Sequence, residues 1–299
     1  MSKPDRILVI AEIGECWNGD FDQALKLIDV AAGAGCDYAK FQTLDREGIA
    51  NDDPERDWFL SIALDRGQLE KLRAHARKAG IGFLVTPEKR KQAELLADMG
   101  CEEVKVASSC LVDDDMLAFM AAHFRRVFLS TGLAELPEID HAVSRLRSVP
   151  ELYILHCVAE YPTGPLLEER GLRALADENT HLAMMSILAQ RYPHARVGYS
   201  DHTVGLMAPI VAVAAGARVI EKHITLDRAT PVNNFNSGGR YLGTDHVLSL
   251  EPEELREMML QIRKVEAMLG PAEWKRTAGE LKLRAFLRGR FHQDEQPIS

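Results

Sequence analysis

The chain has 299 residues, 46% hydrophobic and 27% charged, which fits a globular fold and excludes a disordered or low-complexity protein. A net charge of −9 argues against a nucleic-acid surface, although a local group of lysines can still hold an anionic substrate. Five widely spaced cysteines, with no C-x-x-C pair, argue against a disulfide framework or a structural zinc site.

Short apolar runs alternate with helix-length amphipathic segments along the chain. The first run, 6–13, reads as a strand with Glu12 near its end, and Phe21, Leu25, Ile28 and Ala32 mark one face of a helix over 21–34. Further strands are predicted at 37–42, 81–86, 103–107, 126–131, 152–157, 195–200 and 217–224. Helices are predicted at 67–79, 89–99, 113–123, 136–147, 182–192, 204–216 and 252–269, several of them closed by glycine. Eight strand–helix pairs predict a single-domain α/β fold, a TIM (β/α)8 barrel over residues 1–270, with a doubly wound open sheet as the alternative. Two long connections, 43–66 and 229–246, follow strands and would overhang the catalytic rim. Residues 271–299 predict a basic helix, Trp274 to Arg290, and a polar tail, packed on or near the barrel. With no signal-peptide pattern and no apolar run of membrane length, the expectation is a cytoplasmic protein with no membrane partner.

Polar residues gather where these strands end. Alternate residues of a barrel strand point inward, which puts Lys40 with Gln42 on one side and Glu221 with His223 on another. Buried lysines need anionic partners, so Lys40 and Lys105 on interior strands call for carboxylates or a phosphorylated ligand. Thr86, Ser108, Ser130 and Ser200 could add hydroxyl donors to the same group, or each could be an ordinary cap or loop residue. His202 and His223 end two successive strands joined by one helix, so two imidazoles could meet at one metal ion. Glu12 could balance a lysine or handle a proton. His156 is open between a structural and a functional role, and Cys157 reads as a small buried residue.

The ordered set Ala11-Glu12-Ile13-Gly14, Lys40-Phe41-Gln42, Thr86-Pro87, Lys105-Val106-Ala107-Ser108, Ser130-Thr131-Gly132, His156-Cys157 with Tyr161-Pro162-Thr163, Gly198-Tyr199-Ser200-Asp201-His202-Thr203, Glu221-Lys222-His223-Ile224-Thr225 and Asp245-His246 resembles the N-acetylneuraminate (sialic acid) synthase family. The resemblance implies the barrel domain without the family's C-terminal antifreeze-like domain. It implies phosphoenolpyruvate-dependent condensation with a sugar aldehyde, giving a nonulosonic-acid-type 2-keto-3-deoxy acid and phosphate. By carry-over, Lys40, Thr86, Lys105, Ser108, Ser130 and Ser200 hold phosphoenolpyruvate. Gln42, Tyr161 and Asp245 contact the sugar, and Glu12, His223 and Asp245 are the catalytic set. His202 and His223 bind a divalent metal, usually Mn2+, with Mg2+ or Co2+ as alternatives.

The sequence also departs from that family. Cys16-Trp17 stand where Asn-His is usual, Cys110 where an acid is expected, and Ala159 where an asparagine is expected. The loop before Asp245 is longer than usual, so matching Asp245 rather than Asn234 requires an insertion. These changes lie mostly on the sugar side and imply the same reaction type with a changed acceptor. The partners implied are small molecules and no nucleic acid, with a homo-oligomer left open. Competing readings are a non-catalytic phosphoenolpyruvate- or sugar-binding scaffold protein and another metal-dependent barrel lyase.

Overall fold

In the computed structural model, the described residues are 6–44, 49, 51–52, 56–160, 177–234, 239–242, 244–271 and 273–291. Eight strands alternate with helices: β1 (Leu8–Glu12), α1 (Phe21–Ala34), β2 (Tyr38–Thr43), α2 (Arg56–Ile62), α3 (Arg66–Ala79), β3 (Gly82–Pro87), α4 (Arg90–Asp98), β4 (Glu103–Val106), α5 (Asp114–His123), β5 (Arg126–Ser130), α6 (Leu136–Arg145), β6 (Glu151–Cys157), α7 (Met184–Arg191), β7 (Arg196–Asp201), α8 (Met207–Ala214) and β8 (Val219–His223). The hairpin β9 (Pro231–Asn234) and β10 (Gly239–Leu242) follows, then α9 (Thr244–Leu248), α10 (Pro252–Leu269) and α11 (Ala278–Phe291).

The eight main strands pair in parallel in the order β3-β2-β1-β8-β7-β6-β5-β4. β3 and β4 also lie against each other, so the sheet curls into a nearly closed barrel. This is the predicted TIM barrel rather than an open doubly wound sheet. All eight strands fall where apolar patterning put them, because strands covered on both faces read as nearly continuous apolar runs.

Local chemistry explains the helix ends. Asp20 caps α1 by accepting from the N–H groups of Asp22 and Gln23. Asp65 and Gln68 form a reciprocal capping box at the start of α3. Gly35 and Gly80 end these helices at φ of 85° and 77°, the left-handed cap that turns the chain into the next strand.

Two apolar cores result. The larger lies between sheet and helices; the smaller fills the barrel with Ile10, Tyr38, Leu84, Phe128, Tyr153, Leu155 and Val219. Near the strand N-termini Arg126 plugs the barrel, paired with Glu103 at 2.7 Å and Glu151 at 2.5 Å, and donates to the Tyr38 hydroxyl. One pleat beyond the apolar layer, the inward residues become Glu12, Lys40, Thr86, Ser130 and Glu221. The switch from apolar to polar on the inward face of β1, β2, β3, β5 and β8 defines the site.

Three expectations are corrected. The 43–66 connection contains α2, whose Trp58 indole donates to Glu15 at 2.8 Å and ties this segment to the loop after β1. The 229–246 connection contains an antiparallel hairpin and α9 rather than loop alone. The basic tail helix does not pack on the barrel: every residue from 273 to 290 is exposed, with Trp274 at 91%. Arg290 falls within the face that Leu283, Phe286 and Leu287 would offer, which breaks the apolar stripe a docked helix needs. No described helix is long and apolar enough to cross a membrane.

Candidate active site at the carboxyl rim

The strand register sets up the site. Lys40, Glu12 and His223 are lateral neighbours across β2, β1 and β8, and Ser200 faces Glu221 across β7 and β8. Their side chains open into a cavity of about 190 Å³ lined also by Gln42, Thr86, Lys105, Ser108, Ser130 and His202. Every described residue predicted to hold phosphoenolpyruvate is therefore on one wall system. Tyr161 lies outside the described residues.

The polar groups pair closely. The Lys40 ammonium lies 2.5 Å from Glu12 and 3.2 Å from Glu221, and donates to Thr86 Oγ1 at 3.1 Å. Lys105 lies 3.3 Å from Glu221, which also accepts from the Ser200 hydroxyl at 2.9 Å. Gln42 donates to Glu12 at 3.3 Å. Burial pushes the Lys40 ammonium down to about 8, against the pull of Glu221. Burial works to raise Glu221 too, but the Lys105 and Lys40 ammoniums hold it down to about 2. The buried Ser130 hydroxyl has no hydrogen-bond partner among the described residues. A buried hydroxyl in a polar cavity is normally satisfied, so its position suits an acceptor atom of a ligand.

The two imidazoles stand side by side, with ring centroids 5.5 Å apart. His202 Nδ1 donates to the Val158 carbonyl at 2.9 Å; burial works against protonation of the ring, but Cys157, Val158 and Asp201 outweigh it and raise its pKa, and in the neutral form Nε2 is the lone-pair donor. His223 Nδ1 lies 3.4 Å from Asp245 Oδ2. Burial, then the neighbouring His202 and Lys40, holds His223 well below the ordinary imidazole value and hence neutral, the form that ligates a metal. Among the described residues no group of three or more His, Cys, Asp or Glu side chains has the spacing of a metal cage. The donor set that fits is therefore a two-imidazole site with its other positions open to water or substrate oxygen.

Asp245 reaches the rim from α9. Burial raises its carboxyl above the usual range. It meets Glu12 around Gly14, whose φ is +48°, and a Cβ there would lie 2.9 Å from both carboxylates. Thr225, His246 and Asn18 brace this corner: His246 Nδ1 is 2.7 Å from Thr225 Oγ1 and its Nε2 is 3.0 Å from Asn18 Oδ1. His156 faces away from the cavity, bonded to the Thr180 carbonyl at 2.7 Å, so its role is structural. Cys157 and Ala159 line the cavity, whereas Cys16 is buried 3.5 Å from the Ser249 hydroxyl.

Sequence reasoning did not single out Glu221 as a site residue, although its two-residue spacing from His223 puts both on one strand face. Gly14 and His246 stood in the family motifs, but their contacts with Asp245, Thr225 and Asn18 were not readable, because those partners come from distant parts of the chain.

Similarity to known proteins follows the same span. The chain is 37% identical to an uncharacterized protein of Methanocaldococcus jannaschii, over 91% of this chain and 75% of that protein. It is 33% identical to the N,N'-diacetyllegionaminic acid synthase of Campylobacter jejuni, over 93% of this chain and 81% of the relative. The solved structure of N-acetylneuraminic acid (sialic acid) synthetase from Leptospira borgpetersenii, in complex with citrate, superposes with a TM-score of 0.82 at 28% identity, covering 97% of this chain and 93% of that one. The model of the NeuB family matches residues 27–273, from α1 past the end of α10. That span takes in β2 to β8 and the rim residues from Lys40 to Asp245, most of the chain, and the chain belongs to the NeuB family.

Proposed function

We propose that this protein condenses phosphoenolpyruvate with a sugar aldehyde to give a nonulosonic-acid-type 2-keto-3-deoxy acid and inorganic phosphate. The observation that carries the reading is the convergence of Lys40 and Lys105 on one carboxylate, beside the neighbouring imidazoles of His202 and His223, in a single cavity. The names of the Campylobacter and Leptospira relatives support the substrate class.

In this reading the lysines, with Thr86, Ser108, Ser130 and Ser200, hold the phosphate and carboxylate of phosphoenolpyruvate and stabilise charge through the reaction. The enol carbon attacks the aldehyde carbon and forms the new C–C bond. The aldehyde oxygen becomes a hydroxyl, and Glu12, beside Gln42, is placed to manage that proton. Water adds to the cationic carbon left behind, and the adduct collapses with C–O cleavage to a ketone and free phosphate. His202 and His223 would hold a divalent ion, Mn2+ in the first instance, which when bound supplies Lewis-acid polarisation of the aldehyde oxygen. Gln42 and Asp245 would contact the sugar. Ala107, Leu133 and Ala159 add small apolar surface to the cavity, and the acceptor is N-acetylmannosamine-like or a related, altered sugar.

The test is phosphate release with Mn2+ across a panel of aldoses and N-acylated amino sugars, with two variants. Lys105→Ala is expected to abolish turnover through lost phosphoenolpyruvate binding, and His223→Ala through lost metal binding. Wild-type affinity for both ligands in both variants refutes the assignment.

A further inference from the structure

The geometry points to the buried Asp201–Lys222 pair as a positioning clamp that sets His202 opposite His223, so that cation affinity depends on it and phosphoenolpyruvate affinity does not. This rests on the reading that His202 and His223 hold a divalent ion.

Asp201 and Lys222 are register partners across β7 and β8. By strand alternation they point to the outer face, while Ser200, Glu221 and His223 point into the barrel. The Lys222 ammonium lies 2.6 Å from Asp201 Oδ2, and both side chains are completely buried, at 0% exposure. Burial lowers the affinity of Lys222 for its proton, and the Asp201 carboxylate works against that.

The pair does more than neutralise itself. Asp201 Oδ1 accepts from the Tyr199 hydroxyl at 2.9 Å and the Thr203 N–H at 3.0 Å. Its Oδ2 also accepts from the Thr203 hydroxyl at 3.0 Å. Lys222 donates in addition to the Thr203 carbonyl. The residues on either side of His202 are therefore tied to the strand that carries His223. The backbone at His202 has left the β7–β8 ladder, which ends at Asp201, so these bonds replace the ladder in fixing it. Val158, one residue past the end of β6, then sets the ring through its carbonyl.

Stability does not explain such a pair. A buried ion pair commonly contributes no more than well-packed apolar residues of equal volume, because desolvation offsets the Coulomb attraction. What apolar side chains could not supply is a directional link on both sides of one imidazole. Outer contacts that orient a metal ligand typically govern affinity by about ten- to a hundredfold.

The test uses the full chain with the double substitution Asp201→Asn/Lys222→Met, which removes both charges and keeps volume. Mn2+ binding is read by electron paramagnetic resonance of the free ion, and phosphoenolpyruvate binding to the metal-free protein by calorimetry. Wild type is expected to bind Mn2+ and His202→Ala to lose it; a wild type that binds none overturns the two-imidazole reading and the clamp with it. The double variant is expected to bind Mn2+ about ten- to a hundredfold more weakly, with unchanged phosphoenolpyruvate affinity. Wild-type Mn2+ affinity, or an equal loss of both ligands, overturns the clamp alone. If the double variant does not fold, Thr203→Val is measured in the same way, since it removes one bond to Asp201 without a buried charge. Selective weakening of Mn2+ binding supports the clamp, and any other result overturns it.

Discussion

Lys40 has the charge most open to change at the rim. Its ammonium is flanked by Glu12 and Glu221, yet burial still brings it down to about 8. An anion that binds the protonated form stabilises that proton, so affinity for phosphoenolpyruvate is fully present below about 8 and falls as pH rises through it. Calorimetric titration from pH about 7 to about 10 is expected to show a loss of up to about tenfold per unit on the alkaline side. Lys40→Arg, whose charge does not titrate there, should remove that slope; an unchanged slope would assign it elsewhere. Glu221, held at about 2 by the same ammoniums, stays ionised across this range and adds no slope of its own. The lysines and histidines of this site were legible because charged residues at the ends of apolar strands have no cheap structural explanation. Their mutual distances were not, since each depends on strand register.

Among the elements, glycine turns separate local from tertiary constraint. Gly35 and Gly14 both have positive φ, but a Cβ at Gly35 meets nothing within 4 Å, whereas one at Gly14 meets Glu12 and Asp245. Substituting alanine at either is expected to cost on the order of 1 kcal/mol in urea unfolding, from the backbone conformation alone. Gly14→Ala should in addition lose phosphate release by displacing two rim carboxylates, while Gly35→Ala should retain it. Equal activity in the two variants would remove Glu12 and Asp245 from the reaction. Patterning located β1 to β8 and the helices between them, since burial on one face is written into residue spacing. It missed α2 and the β9–β10 hairpin, which lie in connections too polar and irregular to show a period.

Over the whole molecule, the barrel keeps structure and chemistry at opposite ends. The Arg126 cluster with Glu103, Glu151 and Tyr38 closes the N-terminal end, and the apolar layer of Phe128, Leu84 and Ile10 separates it from the cavity. Arg126→Met leaves carboxylates near the apolar layer without their partner, and should destabilise the fold by on the order of 2 kcal/mol in thermal or urea unfolding. Phosphoenolpyruvate affinity in the folded variant should not change; a change would show that the two ends are coupled. The amino-acid sequence by itself determined the barrel, the family resemblance and the identity of most rim residues, because periodicity and motif order are local properties of the chain. Only the tertiary structure decided that Lys40 and Lys105 share Glu221, that His202 stands 5.5 Å from His223, and that Asp201 and Lys222 bracket His202 from outside the barrel. Those relations span strands far apart in the chain, and closure of the sheet with its register is what brings them within bonding distance.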